Sequence, residues 1–325
     1  MSGPFHARPP LPAPHPPPLA PRPPRVVVLG DLTADVVLAP DRPLVRATDV
    51  PGRVAIRQGG SAANTARWLA RLGARSTLVC AIGRDAVGRA LVAALQADGV
   101  IVRAIHVAGA RTGRIGILVT PDGERSFVAD RGAAQLMRPE DVRPAWLASA
   151  DAVHLPAYSL LGAPLGEAGL AAIRLGRAVD ALVCVDLASA DPLMAGGRDA
   201  AFALLGRAAP DLLFATEDEA ASLLGRRDPA GLLRVAPVVV VKRGSRGATV
   251  LAREGVLRFD VATRPIAAAD TTGAGDAFDA GFLMGWLSAR AAGSRTAVAL
   301  RHGASTGNRA AARHLTATRP ELAIR

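Results

Sequence analysis

Apolar residues along this chain fall into two alternating rhythms. Short apolar runs, most of them carrying valine and closing at or near a glycine, an acid or a proline, recur at RVVVLGD (25–31), STLVCAIG (76–83), AVHLP (152–156), ALVCVDL (181–187), DLLFAT (211–216) and PVVVVKRG (237–244). Runs of this kind, with no polar residue at every second position, predict strands buried on both faces. The longer stretches between them are rich in alanine and leucine and have the spacing of helices. Strand and helix in turn predict βα units and an α/β fold around a mostly parallel sheet, which gathers ligands at the carboxyl ends of its strands.

Two segments depart from the rhythm. Residues 35–58 and 102–130 carry short strands and turn residues without intervening helices, and TPDGER between GRIGILV and SFVAD is a hairpin signal. They predict a small β-sheet flap over the mouth of the main sheet, with strands from about 36–58 and 102–130. Ahead of the first strand, residues 1–24 are rich in proline and lack the continuous apolar stretch of a signal peptide. They predict an extended or disordered tail before a domain spanning 25–325, either a passive extension or an SH3-type ligand.

Composition narrows the class. Half of the 325 residues are apolar, enough for a sizeable core, and no apolar stretch approaches the roughly 18 to 20 residues of a membrane span. The net charge of +11 raises nucleic-acid binding, but Lys242 is the only lysine and the arginines are scattered without a basic run. Neither nucleic acid nor membrane is therefore expected as a partner. Cys80 and Cys184 each sit inside an apolar run, which predicts free core thiols and fits a reducing cytoplasm.

Three stretches carry candidate chemistry. In DTTGAGDAFDAGF (270–282) the successive amides of Gly273, Ala274 and Gly275 can converge on an anion at the start of an apolar helix. Asp276 is then either a general base beside a held phosphoryl group or the N-cap of that helix, with Asp279 adding first-turn charge. A Walker A loop is excluded because Lys242 follows four valines, and Phe278 stands where a dinucleotide fingerprint needs glycine or alanine. In RQGGSAANTARWLARLG (57–73), Gly59 and Gly60 allow close approach of a ligand, while Ser61 and Asn64 offer hydrogen bonds suited to a polyhydroxylated one, unless Ser61 simply caps its helix. LGDLTAD places Asp31 and Asp35 after the first strand, where a carboxylate can accept two sugar hydroxyls. A solvated turn acid fits Asp31 better than Asp35.

Together these stretches resemble the ribokinase, or phosphofructokinase-B-type, family of carbohydrate and nucleoside kinases. GGSAANTARWLARLG is similar to its first signature and DTTGAGDAFDAGF to its second, with IGRDAVGRALVAALQADGV (82–100), TEDEAASLLG (216–225) and KRGSRG (242–247) between them in family order. The resemblance covers residues 25 to about 290. It implies a ribokinase-like three-layer α/β/α sandwich with a mostly parallel central sheet and a small β-sheet lid. It also implies transfer of the ATP γ-phosphate, with magnesium, to a hydroxymethyl group of a sugar or sugar acid.

By the same resemblance Asp276 is the base and Gly273, Ala274 and Gly275 the anion hole. Asp35, Gly60, Ser61 and Asn64 hold the substrate, and Lys242, Gly244 and Gly247 lie along the ATP site. Glu219 takes the acid position that helps place magnesium through water, whereas Thr216 stands where asparagine is usual. Asp270 and Thr272 match the start of a monovalent-cation loop, but residues 303–320 do not clearly supply its second half, which leaves potassium dependence open. Arg131 is a candidate grip on a carboxylate or hydroxyls, and Tyr158 a candidate wall of the cleft. A nucleoside kinase of the same fold is the alternative, disfavoured because aromatics make up only 3% of the chain. A catalytically silent ligand-binding member is the second alternative. Exposed lid strands could pair into a homodimer.

Overall fold

The computed structural model describes residues 22–122, 124–268, 270–318 and 320–324. Residues 1–21 of the proline-rich tail and Gly123 of the expected hairpin lie outside the described residues. The strands in chain order are β1 (Arg25–Leu29), β2 (Thr33–Pro40), β3 (Gly52–Gly59), β4 (Arg75–Gly83), β5 (Ile101–Val107), β6 (Thr112–Val119), β7 (Arg125–Gly132), β8 (Ala152–Pro156), β9 (Leu182–Asp186), β10 (Leu212–Thr216), β11 (Val238–Lys242), β12 (Ala248–Ala252) and β13 (Leu257–Val261). The helices are α1 (Ser61–Arg71), α2 (Ala86–Ala97), α3 (Pro144–Leu147), α4 (Leu165–Arg177), α5 (Ala190–Met194), α6 (Arg198–Ala208), α7 (Glu217–Leu224), α8 (Ala274–Ala291) and α9 (Thr296–Thr316).

Nine strands form one sheet in the order β13-β12-β11-β10-β9-β8-β1-β4-β5. Every pairing from β11 to β5 is parallel, and β12 and β13 are added antiparallel at the far edge. The valine runs explain the layers. Val26 and Val28 point with Leu78, Cys80, Phe214 and Val240 into a core closed by α1, α2, α8 and α9. Val27 and Leu29 point with Val79, Val183, Leu213 and Val239 into a second core closed by α4, α6 and α7. With both faces covered, each apolar side chain contributes about 1.5–3 kcal/mol of burial, which favours apolar residues at successive positions, His154 of β8 being a fully buried exception.

The second sheet has the order β3-β2-β6-β7, with β2 and β6 parallel and the outer pairs antiparallel. It is rooted at the carboxyl end of β1, since β2 begins at Thr33. One expectation is corrected here. Residues 102–107, assigned by sequence to the flap, belong to β5 and pair with β4 in the main sheet. As an edge strand β5 is only half covered, so its sequence IVRAIHV mixes polar and apolar positions like a flap strand.

Candidate active site

The carboxyl ends of five adjacent parallel strands deliver the polar groups. Asp31 follows β1, Tyr158 follows β8, Asp186 ends β9, Thr216 ends β10 and Lys242 ends β11. In-register pairing of Thr216 with Lys242 aligns the last two. The two glycine-marked helices, α1 and α8, then start on the same side of this row.

The start of α1 is fixed by glycine. Gly60 has φ +97, and a Cβ there would lie 2.4 Å from the Asp31 carbonyl oxygen. Gly59 is needed for space, because a Cβ would meet Asp35 Oδ1 at 1.8 Å. Asp35, itself 6% exposed, is thereby seated against the glycine pair, with the Thr33 hydroxyl 3.5 Å away.

Both capping alternatives are overturned. Gly60 and Gly273 are the N-caps of α1 and α8, and neither helix start has a side-chain cap. Asp276 sits in the first turn of α8 and reaches across to α1, where Ser61 Oγ donates to its Oδ1 at 2.6 Å and Asn64 Nδ2 donates to its Oδ2 at 2.8 Å. Gln58 Nε2 donates in turn to Asn64 Oδ1 at 3.1 Å, which fixes the amide so that its nitrogen faces the carboxylate. Burial pushes the Asp276 carboxyl up to about 6, against the opposing pull of the Ser61 and Asn64 hydrogen bonds. Within the glycine turn the Ala274 amide already donates to the Thr271 carbonyl at 3.1 Å, which makes it the least available of the three expected anion donors.

Asp31 corrects a second expectation. It is not a solvated turn acid but 5% exposed, accepting from Ala62 N at 3.3 Å and from the Tyr158 hydroxyl at 3.3 Å. Arg131 pairs with its other oxygen at 3.3 Å and lies over the Tyr158 ring at 4.3 Å from the centroid. Burial raises the Asp31 carboxyl, opposed by the Arg131 charge. Arg131 and Tyr158, suspected separately from sequence, are thus joined through one carboxylate.

About one turn further along the same face of α8, Lys242 Nζ bridges Asp186 at 2.9 Å and Asp279 at 3.2 Å, with 10% of its side chain exposed. Burial opposes its charge, but Asp186, Asp279 and Glu219 outweigh that cost and hold the ammonium above the ordinary lysine range. Asp279 is correspondingly no exposed first-turn charge: it is fully buried, and burial, with Asp186 beside it, raises its carboxyl well above the usual range. Asp186 was not singled out in the sequence, although an acid ending a buried parallel strand was the available signal. A Cβ on Gly275 would lie 3.3 Å from Lys242 Nζ, so glycine keeps the helix start close to this cation.

Thr216, Lys242, Gly244, Gly247, Gly275 and Asn308 line one cleft of about 510 Å³, a volume in the range of small-molecule sites. Gly247 has φ +87 and no room for a Cβ, which would be 2.1 Å from the Val261 carbonyl oxygen. Thr216 and Glu219 cap α7 reciprocally: Thr216 Oγ1 accepts from Glu219 N at 3.2 Å, and Glu219 Oε2 accepts from Thr216 N at 2.7 Å. Burial and the Asp186 charge raise the Glu219 carboxyl. Among the described residues no group of three His, Cys, Asp or Glu side chains could hold a metal ion.

Asp270 and Thr272 are brought together, but with side-chain partners. Asp270 accepts from Thr272 N at 3.0 Å and pairs with Arg125 at 3.1 Å and Arg57 at 3.6 Å. Arg125 also donates to Thr272 Oγ1 at 3.0 Å. Trp68 Nε1 donates to His314 Nδ1 at 3.0 Å, so the other ring nitrogen carries the hydrogen and donates to the Thr272 carbonyl at 2.7 Å. The roles of Arg57, Arg125 and His314 had no sequence signal.

A profile described as pfkB family carbohydrate kinase matches residues 23–321. The ATP-dependent ribose-1-phosphate kinase of Halopiger xanaduensis is 34% identical over 274 residues, covering 81% of this chain and 85% of that protein. The fructokinase of Klebsiella pneumoniae is 30% identical over 271 residues, covering 80% and 84%. Among solved structures, the adenosine kinase from Sinorhizobium meliloti aligns with a TM-score of 0.78 at 25% identity, covering 91% of this chain and 95% of that one. Aminoimidazole riboside kinase from Salmonella enterica, complexed with aminoimidazole riboside and an ATP analog, aligns with a TM-score of 0.74 at 25% identity, covering 90% and 94%.

Proposed function

The chain belongs to the pfkB family of carbohydrate kinases, and from that premise we propose that Asp276 is the general base for phosphoryl transfer from ATP to a hydroxymethyl group of a sugar or sugar acid. The observation that carries the reading is the Asp276 carboxylate, held by Ser61 and Asn64 of the opposite helix beside the glycine turn at the start of α8. A carboxyl near 6 is ionised at neutral pH yet basic enough to accept a proton in the transition state.

In the proposed step the acceptor hydroxyl gives its proton to Asp276 as its oxygen bonds to the γ-phosphorus. The bond from that phosphorus to the bridging oxygen breaks, and ADP leaves with the electron pair. Charge on the transferring group is met by the α8 N-terminus at Gly273 and Gly275 and by Lys242 beneath it. Asp35, Gly60, Ser61 and Asn64 face the sugar side, and Arg131, Tyr158 and Asp31 form its far wall. The cleft lined by Thr216, Gly244 and Gly247 takes the nucleotide. Magnesium on the phosphates would neutralise their charge, with Glu219 reaching it through water. The second sheet acts as the lid that excludes water.

A sugar is favoured over a nucleoside because Arg131 already covers one face of the Tyr158 ring, leaving less aromatic surface for a base. We also assign the lid as a dimer surface, since Val54, Phe127 and Val128 expose apolar area on it, and the cytoplasm as the location. An ATP-consumption screen over pentoses, hexoses, sugar acids, sugar phosphates and nucleosides tests the reading. Turnover on a sugar, sugar acid or sugar phosphate supports it, preference for nucleosides redirects it, and no turnover on any acceptor favours the silent ligand-binding member.

A further inference from the structure

We propose that the loop leading into α8 is fastened by Arg57, Arg125 and His314 of the chain itself, in place of a monovalent cation, and that Arg125 ties the lid to that loop. The proposal builds on the kinase reading for its turnover arm alone.

At the two positions that match the start of a monovalent-cation loop, the oxygens in question are the Asp270 carboxylate and the Thr272 carbonyl. Both already face donors: Asp270 has two guanidinium partners, at 3.1 and 3.6 Å, and the Thr272 carbonyl accepts from His314 at 2.7 Å. A cation entering here would displace charge-assisted hydrogen bonds and stand beside two fixed positive charges. The requirement of a rigid, neutralised loop is met without it.

The origins of the three donors give the arrangement a further consequence. Arg57 lies on β3 and Arg125 begins β7, the two edge strands of the lid sheet. His314 lies near the end of α9 and is itself held by Trp68 of α1, the helix that also carries Ser61 and Asn64. Lid, substrate-side helix and C-terminal helix therefore all converge on Asp270 and Thr272, a few residues before Asp276. Arg125 is a positioning residue: it touches the loop, and the loop sets where the first turn of α8 stands.

The test compares the wild-type protein in potassium, sodium and tetramethylammonium chloride at equal ionic strength. The expected result is one melting temperature and one turnover rate in all three salts. A cation bound only by the folded state raises the melting temperature through linkage, so selective stabilisation or activation by potassium overturns the proposal. The melting arm needs no substrate and decides this point even if the kinase reading fails. For the lid coupling, Arg125→Gln is expected to lower turnover about ten-fold or more while leaving the KM for ATP nearly unchanged, with partial rescue by Arg125→Lys. Unchanged turnover in Arg125→Gln overturns the coupling, as does a rise in ATP KM without loss of turnover. Should that variant fail to fold, Arg57→Gln carries the same comparison from the other lid edge.

Discussion

Asn64 Nδ2 and Asp276 Oδ2 lie 2.8 Å apart although 212 positions separate them in the chain. The contact joins the starts of α1 and α8, so the carboxylate is engaged by Ser61 and Asn64 of α1 and does not cap its own helix.

Asp276→Asn is expected to fold normally and to lose at least about a hundred-fold in turnover, the low end for removal of a general base. Circular dichroism and steady-state kinetics on the same preparation check it. Near-normal turnover would remove Asp276 from the mechanism.

Activity is expected to rise with pH through about 6, where the Asp276 carboxyl ionises, and to level off above it. Stability moves the opposite way. The folded-state value lies above the roughly 3.9 of an unfolded aspartate, so the folded chain holds this proton more tightly and this contribution is lost as pH rises from about 4 to about 6. Urea titrations across that window should show the fall, and Asp276→Asn should flatten it.

Ser61→Ala removes a 2.6 Å donor that favours the charged carboxylate. The midpoint of the pH profile should move upward, and stability should drop by about 1 to 3 kcal/mol, since Oδ1 loses this donor while Asn64 still serves Oδ2. A midpoint that stays in place or falls would count against the assigned donor role.

Lys242→Met leaves Asp186 and Asp279 facing each other without their cation. A loss of about 3–5 kcal/mol is expected at neutral pH, the usual cost of breaking a buried pair from one side. Because burial already holds the Asp279 carboxyl well above the usual range, it takes up a proton readily and the deficit should shrink as the pH is lowered, as denaturant midpoints at two pH values would reveal.

Gly59→Ala places a methyl group 1.8 Å from Asp35 Oδ1. The carboxylate must turn away, and acceptor KM is expected to rise about ten-fold, corresponding to one charge-assisted hydrogen bond, with ATP KM little affected. An equal rise in both would move Asp35 out of the acceptor side.

Most of the candidate site was legible because glycine requirements are local. Gly60 and Gly273 need positive φ and Gly59 needs empty space, and such positions mark a turn whatever surrounds it. The two helix starts could therefore be found without knowing that they meet. The burial of Asp31 was not legible for the complementary reason: whether an acid after a strand is solvated depends on Arg131 and Tyr158, which lie 100 and 127 residues away. The roles of Asp186 and His314 come from Lys242, Trp68 and Thr272, partners distant in the chain that no local pattern reveals.

The sequence by itself determined the α/β class, the doubly covered valine strands and the two glycine-marked helix starts, because burial on both faces and backbone dihedrals constrain residue type locally. Only the tertiary structure decided that Asp276 is not a cap, that Asp279 and Lys242 form a buried network with Asp186, that β5 is an edge of the main sheet, and that Asp270 is held by arginines. Each of these depends on which distant side chain fills the neighbouring space. Charge, burial and hydrogen-bond partners are properties of that neighbourhood and not of the residue.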